Sequence, residues 1–246
     1  MSGHSKWSTI KHKKAATDKK RGAMFSKLAR AIMVAAKEGG PDPDGNAALA
    51  NAIAKAKSYS LPKDNIERAI AKGAGGGEGE NYETVTYEGF GPGGAAFVVE
   101  ALTDNRNRTA ANVRSIFTKA GSALGAPGSV AWKFDRKGVI IVEGVTDEDE
   151  LVLAAADAGA DDAEGDDGAY RVTCEPTELA AVRDALEAAG YTLASAELTL
   201  LPKQPAEIDD EGARKVLKMV DALEEDDDVQ DVVFDVEIPE AVLAEQ

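Results

Sequence analysis

The sequence predicts an α+β multidomain chain, with an N-terminal helical domain followed by two α/β domains, the third domain inserted in the second. Three observations carry that expectation. Apolar residues recur at helical spacing up to about residue 72. Beyond a Gly-rich segment the period changes to two. The later part then holds a complete strand-helix-strand-strand-helix-strand run, flanked by elements too few to bury a core alone. With 246 residues, 43% apolar and 5% aromatic, the chain is long enough for one to three domains with aliphatic cores.

The first helix is predicted from an N-cap at Thr17 or Asp18 through KKRGAMFSKLARAIMVAAKEGG to a Gly-Gly stop. At 100° per residue, Phe25, Leu28, Ala29, Ile32 and Ala36 gather on one face. Lys19, Lys20, Lys27, Arg30 and Lys37 gather on the opposite face as a basic stripe. A second helix fits NAALANAIAKAKS, residues 46–58, with Leu49 and Ile53 inward. A third fits PKDNIERAIAKG, with Pro62 at the first helical position and Gly73 as the residue that ends it. Residues 1–76 are therefore expected to form a basic helical domain, and GAGGGEGE, 73–80, a flexible linker.

ETVTYEGF (83–90) and AAFVVEALT (95–103) read as strands joined by the turn GPGG, RTAANVRSIFTKAG (108–121) as a helix, and SVAWKF (129–134) as a strand. Next come strand GVIIVE, helix DEDELVLAAADAG, strand DDAEG, a DDG turn, strand AYRVTC, helix PTELAAVRDALEAAG and strand TLASAELTLL, the ferredoxin-like order. The helix DEGARKVLKMVDALEE (210–225) and the strand VQDVVFDV (229–236) remain. The economical arrangement has them complete the earlier half-domain, giving one domain of 81–135 plus 205–240 and an inserted domain of 137–203.

Charge divides the chain in two. Residues 1–76 hold 15 of the 28 Lys+Arg and 6 of the 44 Asp+Glu, net +9, which leaves 13 bases against 38 acids, net −25. A basic segment on an acidic body is a statement about partners: the segment attracts polyanions that the body repels. No apolar run approaches the roughly 20 residues of a membrane-spanning helix, so no membrane partner is expected. Nor does the N-terminus carry the apolar centre of a secretory signal, and a cytoplasmic location is expected. The single cysteine, Cys174, excludes an internal disulfide, and its place in YRVTC makes it a buried strand residue.

Most candidate chemistry fails on spacing. Gly89, Gly91 and Gly94 match a dinucleotide fingerprint, but a strand follows where a helix is needed, so a hairpin turn is expected. GAGGG lacks the Lys and Ser/Thr of a phosphate loop. His4 and His12, eight apart, are not on metal-ligand spacing. DDAEGDDG does not place Gly and Glu as a calcium loop requires and reads as a solvated acidic hairpin, as does EEDDD at 224–228 as a solvated run. Without a nucleophile-base or paired-carboxylate constellation, no enzyme, metal or cofactor is expected.

Two features survive. The opening stretch GHSKWSTIKHKKAATDKKR holds seven Lys or Arg and one acid, with aromatic rings among the cations. Lys6, Trp7, Lys11, His12, Lys13, Lys14, Lys19, Lys20, Arg21, Lys27 and Arg30 are the candidate nucleic-acid contacts, cations for phosphates and rings for exposed bases. A merely solvated basic face is the alternative. The second feature is TDNRNRT, 103–109, between a strand and a helix. Asn105, Arg106, Asn107 and Arg108 could meet one anion at the helix N-terminus, or could equally cap that helix and bridge to the acidic insertion.

GHSKWSTIKHKKAATDKKRGAMFSKLARAI, LPKDNIERAIAKG, YEGFGPGG, LTDNRNRT, GSVAWKF and DALEEDDDVQDVVFD together resemble the YebC/PmpR family, which has a mitochondrial translational-activator branch. The resemblance runs almost end to end. It implies a three-domain fold with the third domain inserted in the second, and a non-enzymatic cytoplasmic regulator of gene expression. Bacterial members of that family are described as DNA-binding transcriptional regulators, while others resemble translation factors acting at the ribosome. The expected partner is thus nucleic acid, either DNA or ribosomal or transfer RNA, with the oligomeric state left open. The C-terminal part here is more acidic and Ala-rich than the family pattern.

Overall fold

In a computed structural model the described residues are 18–75, 81–166 and 168–245. They show an α+β chain with N-terminal helices and two sheet-containing regions. It packs as two compact units, residues 1–76 with 136–199 and residues 77–135 with 200–246, the chain passing between them inside two long strands.

Three helices, α1 (Asp18–Gly39), α2 (Ala47–Ser58) and α3 (Lys63–Ala74), open the first unit. Their apolar stripes meet in a core of Leu28, Ile32, Ala36, Leu49, Ala56, Leu61, Ile66 and Ala69. Buried Asn46 fixes the α1–α2 connection: its Oδ1 accepts from Leu49 N at 3.1 Å as the N-cap of α2, while its Nδ2 donates to the carbonyls of Ala35 at 2.8 Å and Gly40 at 2.9 Å. One side chain thereby satisfies orphan groups at two helix ends.

The α3 boundaries correct the expectation. Pro62 is the N-cap, not the first helical residue, and Gly73 lies within the helix rather than ending it. Gly73 is buried, and a Cβ there would overlap the Met33 carbonyl and crowd the Ala36 methyl of α1. Glycine is used for a close helix crossing, which in sequence looks the same as a stop signal.

The same unit holds a four-stranded sheet ordered β5-β6-β4-β7, built from β4 (Phe134–Glu143), β5 (Asp162–Asp166), β6 (Ala169–Cys174) and β7 (Thr192–Pro202). β6 pairs antiparallel with both β4 and β5. Helices α5 (Glu148–Asp157) and α6 (Leu179–Ala188) cover it, burying Ile140, Val142, Leu151, Val172, Val182 and Leu186. Cys174 is fully buried in β6, and burial pushes its thiol up to about 11, so it packs as an apolar residue. The ion pair of Lys55 with Glu197, 2.6 Å, joins α2 to β7.

The second unit contains a sheet ordered β3-β1-β2-β9, from β1 (Glu83–Phe90), β2 (Ala96–Thr103), the two-residue β3 (Ala123–Leu124) and β9 (Val229–Phe234). Strand β9 arrives from the C-terminal end to pair antiparallel with β2. Helices α4 (Arg106–Lys119) and α7 (Asp210–Glu224) supply the apolar cover, with Phe97 edge-on to Phe117 at 6.0 Å and beside Phe234 at 5.9 Å. Burying three such rings stabilises this core by about 1.5–3 kcal/mol each. The short elements β8 (Ala206–Glu207), β10 (Val236–Glu237) and α8 (Glu240–Leu243) complete it.

The glycine motif at 89–94 forms the β1–β2 connection, a 3-10 turn at Pro92–Gly94 in which Gly93 and Gly94 have φ of 68° and 80°. SVAWKF is not a strand. Residues Ala131–Lys133 form a 3-10 turn, and extended backbone begins only at Phe134. The cause is Glu88, whose carboxylate accepts from Gly128 N at 2.7 Å and from Val130 N and Ala131 N at 2.8 Å each, wrapping the segment around itself.

Candidate nucleic-acid interface

Helix α1 carries the part of the basic region that is described. Lys6, Trp7, Lys11, His12, Lys13 and Lys14 lie outside the described residues. Lys19 and Lys20 fall in the first turn of α1, and Arg21 follows them as an exposed residue. Arg30 is half-buried, while Lys37 in the last turn is exposed. Lys27 is the correction: only 7% exposed, it is not part of a solvent-facing stripe. A helical wheel places a residue by angle alone, and the buried face of α1 is wide enough to include Leu28, Ile32, Val34, Ala35 and Ala36.

TDNRNRT is a dense hydrogen-bonded knot. Asn105 is the N-cap of α4, its side chain accepting from Arg108 N at 3.1 Å, and its own N–H donates to Thr103 Oγ1 at 2.9 Å. The Arg108 guanidinium lies 2.7 Å from both Asp104 Oδ1 and Asp228 Oδ2. Asp228 is 5% exposed and also accepts from the hydroxyls of Thr109 at 2.7 Å and Thr103 at 3.2 Å. Burial acts to raise the Asp228 carboxyl, but Arg108 and the two hydroxyls outweigh it and hold it below its usual range. Side-chain bonds to Asp228 and then Asp104 push the Arg108 guanidinium further up. Arg106 and Asn107 are exposed, and Arg106 approaches Glu83 at 3.8 Å.

The motif thus brings Asn105 and Arg108 into one network and leaves Arg106 and Asn107 at its surface. Its acidic partner comes from the C-terminal run EEDDD rather than from residues 137–203. That run is not simply solvated: Asp228 is buried, and Asp226 Oδ2 accepts from Asn112 at 2.9 Å. Nothing in the local sequence marks Asp228 among its acidic neighbours; its position before β9 is the only signal.

Trp132 carries no local signal of its exposure. Alternation of Val130, Trp132 and Phe134 imitates a strand, whereas in the folded chain the two flanking residues are buried and the indole is 66% exposed. Among the described residues, no group of three His, Cys, Asp or Glu is placed to hold a metal ion, and no helix is long and apolar enough to cross a membrane.

Comparison with known proteins places this arrangement. Residues 5–76 match the TACO1/YebC protein N-terminal domain, and residues 82–236 match the TACO1/YebC second and third domain. A protein of Rubrobacter xylanophilus, named as a probable transcriptional regulatory protein, is 55% identical over 247 residues, covering 100% of this chain and 99% of its own. A Thermobifida fusca protein of the same name is 52% identical, covering 99% of each. The crystal structure of a conserved hypothetical protein from Aquifex aeolicus superposes with a TM-score of 0.82 at 48% identity, covering 91% of this chain and 93% of that one. With family models over most of its length and relatives more than half identical from end to end, this chain belongs to the TACO1/YebC family.

Proposed function

We propose that this chain is a nucleic-acid-binding regulator of gene expression, of the DNA-binding transcriptional regulator class, working in the cytoplasm. The observation that carries this reading is the division of charge, +9 over residues 1–76 against −25 over the rest. The basic stretch from Lys6 to Lys14 and the first turn of α1, with Lys19, Lys20 and Arg21, supply the phosphate contacts, and the acidic remainder of the chain acts as a repulsive filter against random polyanions. Relatives named as transcriptional regulators support the reading.

Trp7 and His12, set among the cations, favour a second version in which the target is ribosomal or transfer RNA, because stacking needs bases that are not already paired. In either version the architecture is read as a helical domain of 1–76, an α/β domain of 81–135 with 205–240, and an inserted ferredoxin-like domain of 137–203. The order β5-β6-β4-β7, with a helix after the first and third strands in sequence, supports the last of these. Crosslinking in cells, followed by sequencing of both bound RNA and bound DNA, tests the proposal. Enrichment of one nucleic acid decides between the versions, and enrichment of neither turns the chain into a protein-interaction adaptor.

A further inference from the structure

The geometry points to Trp132 as a stacking platform for an unpaired nucleobase, a second contact point remote in sequence from the basic arm; this rests on the nucleic-acid reading above. An indole that is 66% exposed forgoes most of the stabilisation its burial would bring. Here the surrounding structure holds it outward. The 3-10 turn Ala131–Lys133 is clamped from below by the three N–H bonds to Glu88 and pinned on both sides by buried Val130 and Phe134. The indole Nε1–H donates to Ser129 O at 3.2 Å. Its one polar group is therefore satisfied internally, and what remains for a partner is the flat π surface.

The surroundings fit a nucleotide. Lys133 Nζ lies 6.0 Å from the centre of the Trp132 ring and 2.5 Å from Asp235 Oδ2, and Asp235 Oδ1 accepts from Ala96 N at 2.7 Å. The cation is thus fixed over one face of the ring, which leaves the opposite face for a base. Lys203, half-exposed, joins the same rim through its backbone N–H to Lys133 O at 2.9 Å, with Asp135 3.3 Å from its ammonium. A second exposed aromatic stands on the sheet face against which this loop packs. Phe90 is paired with Ala96 across the β1–β2 ladder, directly opposed residues share a sheet face, and Ala96 packs against Val130 and Phe134 of the loop. Phe90 is 45% exposed. Exposed aromatic rings on which bases stack are what sequence-tolerant binding of single strands uses, and since Asp235 and Asp135 balance the two lysines, it is the rings and not the charges that make this contact.

The test uses the full chain labelled with nitrogen-15. Its two tryptophans give two indole N–H signals, and Trp132→Phe assigns them by loss of one. Twelve-residue oligoadenylates, one RNA and one DNA, are titrated in while a dye on the oligonucleotide reports total binding by anisotropy. The expected result is that the Trp132 signal moves with the binding curve, that Trp132→Ala weakens binding roughly five- to hundred-fold, and that Trp132→Phe retains most of the affinity. The arm with the larger effect identifies the sugar. Oligonucleotide that binds while the Trp132 signal stays put, or an alanine variant within twofold of the parent, overturns the stacking role but leaves the nucleic-acid reading standing. No binding by anisotropy in either arm overturns both.

Discussion

Arg108 and Asp228, 120 residues apart in sequence, meet at 2.7 Å at the N-terminus of α4. The pair ties the β2–α4 connection to the start of β9, so the strand that closes the second sheet is fixed by a carboxylate as well as by its ladder. It explains why a motif that looks like an anion site is already occupied: Asp228 is the anion, supplied by the chain itself. The backbone adds Leu102 N to Asp228 O at 2.8 Å, which sets the register of the incoming strand.

Removing Asp228 should therefore cost more than removing Arg108. Asp228→Ala leaves the hydroxyls of Thr103 and Thr109, both fully buried, without their charged acceptor, a loss of about 2–3 kcal/mol. Arg108→Ala exposes less, because its guanidinium is half in water and Asp228 keeps its hydroxyl donors. Urea unfolding of the two variants checks the ranking. Equal midpoints, or a larger loss for Arg108→Ala, would contradict the assignment of Asp228 as the centre of the knot.

Stability should fall in acid, with a sign fixed by two carboxyls. Asp228 and Glu88 are both held below their ordinary values: burial acts against each, and Arg108 with two hydroxyls in one case and three backbone N–H groups in the other overcome it. A carboxyl depressed on folding contributes its full stabilisation above the unfolded value, about 4, and loses it as pH falls through the folded value. Thermal midpoints should hold from neutral pH to about 5 and then decline. In Asp228→Asn the decline should be shallower, and an unchanged profile for that variant would remove Asp228 from the account.

The crossing of α3 over α1 predicts an unusual response to alanine. At an ordinary helical glycine, Gly→Ala stabilises by about 1 kcal/mol through propensity. At Gly73 the added methyl overlaps Met33 O, and pushing the helices apart costs about 1–3 kcal/mol. Gly73→Ala should therefore lower the melting temperature. A stabilised variant would show that the helices separate freely and that no close approach is needed.

How much of this could be read in advance follows from the range of the forces involved. Elements set by local periodicity were legible nearly to the residue: β1 at Glu83–Phe90 and β6 at Ala169–Cys174 coincide with the alternation, and α1 ends at its Gly pair. Features set by partners distant in sequence were not. SVAWKF alternates like a strand yet is bent around Glu88, 40 and more residues away. Gly73 looks like a helix stop until Met33 is beside it, and Lys27 looks solvent-facing until its burial is known. In the candidate interface, Asn105 was recognisable as a cap because capping is local, while Asp228 was hidden in an acidic run. Trp132 escaped notice because exposure belongs to the fold and not to the residue.

Burial of Lys27 separates two effects that a uniform basic stripe would merge. Reversing Lys19 and Lys20 to Glu should weaken nucleic-acid binding and flatten its salt dependence by roughly 0.7–0.9 for each phosphate no longer neutralised, with helix content unchanged. Lys27→Glu should instead lower the melting temperature, since the reversed charge enters a site that is 7% exposed. Circular dichroism and binding titrations at three salt concentrations distinguish them. A salt slope that Lys19 and Lys20 do not affect would exclude the start of α1 from the interface.

The two ends of the chain should differ in how they treat nucleic acid. Because net charge is +9 over residues 1–76 and −25 beyond, that fragment should bind random nucleic acid more tightly than the whole protein, the acidic body acting as a repulsive filter. Discrimination should run the other way if TDNRNRT touches the target, the full chain separating its true partner from random sequence better than the fragment does. Arg108 is engaged with Asp104 and Asp228, so the residue to change is Arg106, which is exposed and meets Glu83 only at 3.8 Å. Arg106→Ala should remove the full chain's advantage without lowering its stability. The measurement is a side-by-side titration of fragment, full chain and Arg106→Ala at matched salt, the fragment first shown to be helical by circular dichroism. A folded fragment that binds nothing would move recognition out of the N-terminal helices, and an Arg106→Ala chain that discriminates as well as its parent would leave TDNRNRT a purely structural knot around Asp228.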